Sequence, residues 1–155
     1  MRIRLFLGIL VLFVWSCTPA SDLSKYPAKT LAGETVKWNS HTEKVIILHF
    51  WATWCRDCIV ELPSLIEAYN GLEETEKKKI GFIFLSDEEA DRIQSFLETR
   101  TIPPFFMYRL EKSFKNYGIW HIPQTNIYKG GEIIQQIDRS VQWTTEDLRK
   151  LLGSS

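Results

Sequence analysis

The sequence predicts an α/β domain: a central mixed β-sheet flanked by helices on both faces, with an N-terminal β extension. Three observations predict it. Residues 45–51 (VIILHFW) and 80–85 (IGFIFL) are short, almost wholly apolar runs, as expected of strands buried on both sides. Between them Ile59, Leu62, Leu65, Ile66 and Tyr69 recur at helical spacing. Two later strand-like segments flank Gly130-Gly131, a hairpin signal. The chain has 155 residues, 45% apolar and 25% charged, enough to bury one sizeable core and too balanced for a disordered chain.

The elements follow in order. Arg2 and Arg4 precede an apolar run over 5–15, then Ser16 and Cys17, the layout of an export signal. Eleven helical residues reach about 16 Å, roughly half the apolar thickness of a bilayer, so a spanning helix is disfavoured. Val14-Trp15-Ser16-Cys17 resembles a bacterial lipobox, although Trp15 is bulkier than that motif usually carries. The expectation is a lipoprotein signal peptide over 1–16, lipidation at Cys17, an aperiodic tether over 17–32 with Pro19 and Pro27, and one domain over 33–155. A strand or hairpin is expected near 35–38, then the central strand 45–51. A helix follows over 55–71, kinked at Pro63, which lacks a backbone donor and clashes with the preceding turn.

After the strand 80–85, residues 87–97 read as a helix with Ile93, Phe96 and Leu97 on one face and acids in its first turn. Pro103-Pro104 stops it, and 105–108 is strand-like. Strands over 125–129 and 132–137 form the hairpin. The last helix starts at Thr144, capped by its hydroxyl with Asp147 three residues on, and buries Leu148, Leu151 and Leu152.

Nineteen basic and nineteen acidic residues leave no net charge, which removes the electrostatic footprint of a nucleic-acid-binding domain. No phosphate loop, Ser/His/Asp arrangement or haem attachment sequence occurs. The chemistry lies in Trp51-Ala52-Thr53-Trp54-Cys55-Arg56-Asp57-Cys58, which joins the buried strand to the helix. Cys55 falls at the helix N-terminus, where unpaired N–H groups and the helix dipole favour thiolate, and Cys58 lies about one turn further in, within reach of a disulfide. Half a zinc site and two inert buried cysteines are the competing explanations. Zinc needs two more ligands, and His41, His49 and His121 are scattered singly.

Phe50 through Cys58, continuing through Glu61-Leu62-Pro63, resembles the active-site segment of the thioredoxin superfamily, in particular its membrane-tethered TlpA/ResA-like branch. Gly118-Ile119-Trp120-His121-Ile122-Pro123-Gln124-Thr125, followed by a strand and the Gly-Gly hairpin, resembles that family's second hallmark, a cis-proline loop facing the disulfide. The resemblance extends from about Gly33 to the C-terminus and implies a thioredoxin-like fold. It implies Cys55 as the attacking thiol, Cys58 as the resolving thiol and Pro123 as the cis-proline that keeps the Ile122 backbone available to a substrate strand. Three departures stand out. Asp57 occupies the place where relatives often have proline, with Arg56 of opposite charge beside it. His49 stands where thioredoxins carry a buried acid, either as a core residue or handling the proton of Cys58. Asp87 and Glu88 follow the second central strand, where some relatives carry an acid near the active site; a solvated helix start is the plainer role.

The resemblance implies a cofactor-free, metal-free thiol-disulfide oxidoreductase of the bacterial envelope, facing the periplasm and acting as a protein-disulfide reductase. Its expected partners are disulfides of exported proteins, with apocytochrome c or a damaged envelope protein as the client, and a DsbD- or CcdA-like membrane electron donor. An oxidant or isomerase of the same fold, and a copper- or zinc-binding module, are the alternatives. Trp54 is expected to support the active site, and Trp38, Trp120 and Trp143 are candidates for core packing or for lining a client groove.

Overall fold

The computed structural model describes residues 23–41, 43–102 and 105–153. The signal peptide, Cys17 and the proline pair Pro103-Pro104 lie outside them. Six strands form one mixed sheet: β1 (Ala28–Thr30), β2 (Val45–Phe50), β3 (Ile80–Ser86), β4 (Phe106–Leu110), β5 (Gln124–Lys129) and β6 (Glu132–Ile137), in the order β1-β4-β3-β2-β5-β6. The helices are α1 (Arg56–Asn70), α2 (Glu74–Lys77), α3 (Ala90–Glu98) and α4 (Thr145–Gly153). β2, β3 and β4 run parallel, and β5 and β1 enter antiparallel. Every residue of β2 and β3 is buried, which is why both read as unbroken apolar runs.

Both faces are covered, but unequally. The crossovers β2-α1-β3 and β3-α3-β4 step in the same direction across the sheet, so right-handed connections bring α1 and α3 to one face. There Val45, Ile47, Phe82, Phe84 and Ile127 of the sheet pack with Cys58, Leu62 and Leu65 of α1, Ile93 of α3 and Leu148 of α4. The other face, with Ile46, Leu48, Phe50, Ile83 and Leu85, is covered by Leu23, Tyr26 and Ala28 and by Phe114 of a 3-10 turn, Phe114–Tyr117. Longer helices are confined to the active-site face.

The first β element differs from expectation. Residues 35–38 contribute a single bridge, Lys29 to Thr35, and then a 3-10 turn, Trp38–Ser40. The edge strand is β1, inside the segment expected as tether, and it pairs with β4 from Ala28↔Leu110 to Thr30↔Tyr108. Leu23 and Tyr26 are buried beside it, so residues 23–32 belong to the folded unit: without them the apolar face of β2 and β3 would lie open to water. Pro27 immediately precedes this edge strand, a position where a missing N–H costs no ladder bond.

The C-terminal half follows the sequence closely. Gly130 and Gly131, at φ 60° and 92°, make the two-residue turn between β5 and β6, a conformation other residues adopt only under strain. Thr144 and Asp147 cap α4 reciprocally: the Thr144 amide donates to Asp147 Oδ2 at 3.0 Å and the Asp147 amide to Thr144 Oγ1 at 3.2 Å. Helix α3 begins at Ala90 rather than 87, because Asp87 and Glu88 have other partners. Asp87 accepts the Phe114 amide at 3.1 Å, and Glu88 turns back toward the active-site loop.

Candidate active site

Cys55 is the N-cap of α1, and its Sγ accepts the Cys58 amide at 3.2 Å. The two cysteines are joined as a disulfide and nearly buried, at 5% and 2% exposure. Once the bond is reduced, the same amide and the helix N-terminus favour negative charge on Cys55, whereas Cys58, a turn deeper, has only desolvation. Arg56 and Asp57 are exposed on the rim, and Trp54 is 62% exposed beside them.

The loop that presents Cys55 is held from β3. The Glu88 carboxylate, almost fully buried, accepts the Thr53 amide at 2.6 Å and the Thr53 hydroxyl at 2.8 Å. Arg92 closes the group, with its Nε 2.9 Å from Glu88 Oε1 and 3.2 Å from Thr53 Oγ1. Glu88 is therefore a brace for the residues before the nucleophile rather than a solvated helix start. Opposite, Pro123 is buried and the Ile122–Pro123 bond is cis. Trp54, Ile119, Trp120 and Ile122 border a cavity of about 460 Å³ next to that loop, and Trp120 is 77% exposed. Trp38 instead packs on Tyr108 and His41, while Trp143 is buried.

His49 sits in β2 directly across from Thr125 of β5, and its Nδ1 lies 2.8 Å from Thr125 Oγ1. Complete burial pushes its pKa down to about 3, so the ring is neutral at physiological pH and a weak base. An unfolded His49 titrates near 6.5. The folded protein therefore gains stability from the neutral ring above that value and loses it as pH falls toward 3. His49→Leu should flatten the loss of stability between pH 6 and 3, measured by urea unfolding at each pH; parallel curves for both proteins would contradict this.

The sequence motif also included Glu61, to which no role was attached. Its side chain is 0% exposed, on the same helix face as Cys58 and one turn along. The Trp143 indole donates to Glu61 Oε1 at 2.6 Å, and Oε2 is buried with no hydrogen-bond partner among the described residues. Burial pushes the Glu61 pKa up to about 7, against the pull of the Trp143 and Val141 hydrogen bonds. A signal was present in the sequence: Glu61 adjoins Leu62 within the apolar stripe of α1, where a charge has no water to face. Among the described residues no three His, Cys, Asp or Glu side chains gather as a metal site.

The AhpC/TSA family model matches residues 8–137. The chain belongs to the AhpC/TSA family. Among curated relatives, it is 27% identical over 126 residues to the thiol-disulfide oxidoreductase ResA of Bacillus thuringiensis subsp. konkukian, spanning 78% of this chain and 71% of that protein. The crystal structure of StoA from Bacillus subtilis superposes with a TM-score of 0.61 at 22% identity, over 82% of this chain and 95% of that one. The exposed lipoprotein thioredoxin of Streptococcus pneumoniae superposes with a TM-score of 0.63 at 15% identity, over 82% and 97%. This member of the AhpC/TSA family is a TlpA/ResA-like thiol-disulfide oxidoreductase with a thioredoxin-like fold, and Cys55 and Cys58 are the cysteines among the described residues.

Proposed function

We propose that this oxidoreductase works outside the cytoplasm as a reductase of protein disulfides, tethered to the membrane through lipid on Cys17. The company of Cys58 supports that direction, against the thiolate-favouring helix N-terminus at Cys55: Asp57 precedes Cys58 on the exposed rim and the buried Glu61 follows one turn on, with no buried cation on that turn. Strongly oxidising pairs are those whose reduced form is stabilised as thiolate, and negative charge beside a desolvated thiol withholds that stabilisation. The export signal, the Ser16-Cys17 junction and the likeness to an exposed lipoprotein thioredoxin support the location. Exported proteins with disulfides are the clients, and a DsbD- or CcdA-like membrane protein returns the electrons.

The geometry is consistent with the following steps. The Cys55 thiolate attacks one sulfur of a client disulfide, forming the mixed disulfide and releasing the other client sulfur as thiolate. Cys58 gives its proton to the Glu61 carboxylate and attacks Cys55 Sγ. The second client sulfur leaves and takes up a proton, so the client gains two electrons and the Cys55–Cys58 bond forms. Meanwhile the cis-proline loop and the Trp54/Trp120 groove hold the client segment.

Equilibration of the pair against glutathione tests the direction. The potential should fall nearer that of thioredoxin, about −270 mV, than that of DsbA, about −120 mV. A value above about −150 mV would favour the oxidant reading.

A further inference from the structure

We propose that Trp143 is a positioning residue of the redox centre: its indole N–H pins one oxygen of Glu61 and leaves Oε2 as the atom that exchanges a proton with Cys58. This rests on the role given to Glu61 above. An indole N–H only donates, so Oε1, 2.6 Å away, must be an acceptor whether Glu61 is charged or neutral. A carbonyl oxygen is the stronger acceptor, so the indole bond favours the carbonyl at Oε1 and the proton of neutral Glu61 on Oε2. That oxygen is buried and makes no well-formed hydrogen bond among the described residues, the Val141 backbone acting on the carboxyl only as a weaker donor that lowers its pKa.

Trp143 is itself fixed to the same turn of α1. Its amide donates to Ser64 Oγ at 3.1 Å, and the Ser64 hydroxyl donates to the Glu61 carbonyl at 2.8 Å. Backbone and ring thus grip one helical turn from the segment between β6 and α4, which sets the indole's direction. No charged group is among the causes of the Glu61 shift, which are burial, Trp143 and Val141. The titratable groups on the surrounding elements are Cys55, Cys58, Arg56 and Asp57 at the start of α1, His49 of β2, and Asp138 and Arg139 after β6. Asp147 and Lys150 of α4 line the cavity of about 290 Å³ that Trp143 also borders.

The test is the pH dependence of mixed-disulfide resolution, by stopped flow with a single-disulfide peptide, in wild type, Trp143→Phe, Glu61→Gln and the double variant. Phenylalanine keeps the ring packing and removes the donor. Loss of a hydrogen bond to the charged form should raise the midpoint by about one pH unit, close to a tenfold slower resolution below it. Trp143→Phe should add nothing once Glu61 is glutamine. An unshifted midpoint in Trp143→Phe, or an equal slowing in the Glu61→Gln background, overturns the positioning role while leaving that of Glu61 intact. If Glu61→Gln itself leaves the wild-type profile unchanged, both fail. Should Trp143→Phe not fold, the wild-type protein decides: the Trp143 indole ¹H–¹⁵N resonance of the oxidised form must titrate near pH 7, and a pH-independent resonance overturns the proposal.

Discussion

Cys55→Ser should abolish disulfide reduction, while Cys58→Ser should retain the first attack and accumulate stable mixed disulfides with clients. The asymmetry comes from position. Cys55 caps α1 and receives the Cys58 amide at 3.2 Å, so its thiolate has a donor waiting, whereas Cys58 lies one turn inside the apolar cluster with Leu62 and Leu65. Exchange rate follows the fraction of thiolate at the attacking sulfur, and loss of that sulfur leaves no substitute among the described residues. Activity with an insulin-type disulfide substrate should fall by at least about a thousandfold for Cys55→Ser, the scale on which a covalent catalyst's nucleophile acts. Gel shifts of trapped clients, reversed by dithiothreitol, read the second outcome. Faster alkylation of Cys58 than of Cys55 at neutral pH would reverse the assignment.

Glu61→Gln should remove the pH dependence of resolution around pH 7 and slow resolution at pH 8 by about a hundredfold or more, the usual scale of general-base catalysis. In wild type the carboxyl is neutral below its pKa of about 7 and accepts no proton; above it the carboxylate does, so resolution rises with pH through that value. The first attack by Cys55 should keep its own profile. Stability supplies an independent check, with the opposite sign from His49. The unfolded carboxyl ionises near 4.5 and the folded one near 7, so wild-type stability is full below 4.5 and declines as pH rises through 7. Glutamine, which keeps an oxygen for the Trp143 indole, escapes that decline. Glu61→Gln should therefore be more stable above pH 7, by on the order of 3 kcal/mol. A variant that loses stability across the whole range would mean that Glu61 serves packing and not proton transfer.

The two acids are complementary in what they reveal about reading a chain. Glu88 was visible as an acid after a strand, but its bond to the Thr53 amide joins residues 35 positions apart, so a solvated helix start was the natural local interpretation. Glu61 was visible within the cysteine motif, but its partner is 82 positions away. His49 was legible as a polar interruption in a buried strand; its neutrality follows from the depth of β2 and the single hydroxyl it faces, Thr125, and that depth favours Glu61 as the proton acceptor.

Local chemistry by itself determined the strand–helix junction that presents the cysteine pair, the Gly130-Gly131 turn and the Thr144/Asp147 cap, while the resemblance to a known family supplied the redox role of the pair and the Ile122-Pro123 loop. The junction, the turn and the cap are each fixed by residues close in sequence, through periodicity, backbone freedom or a helix terminus. The tertiary structure decided the rest. It placed β1 on the sheet edge against β4, drew residues 23–32 into the core, and gathered the longer helices on one face because two crossovers step the same way. It also brought Trp143 to Glu61 and Glu88 to Thr53. Hydrophobic patterning specifies that a face is buried and not which distant polar group will meet it there, and a buried carboxyl's protonation depends on that neighbour and on the water excluded around it.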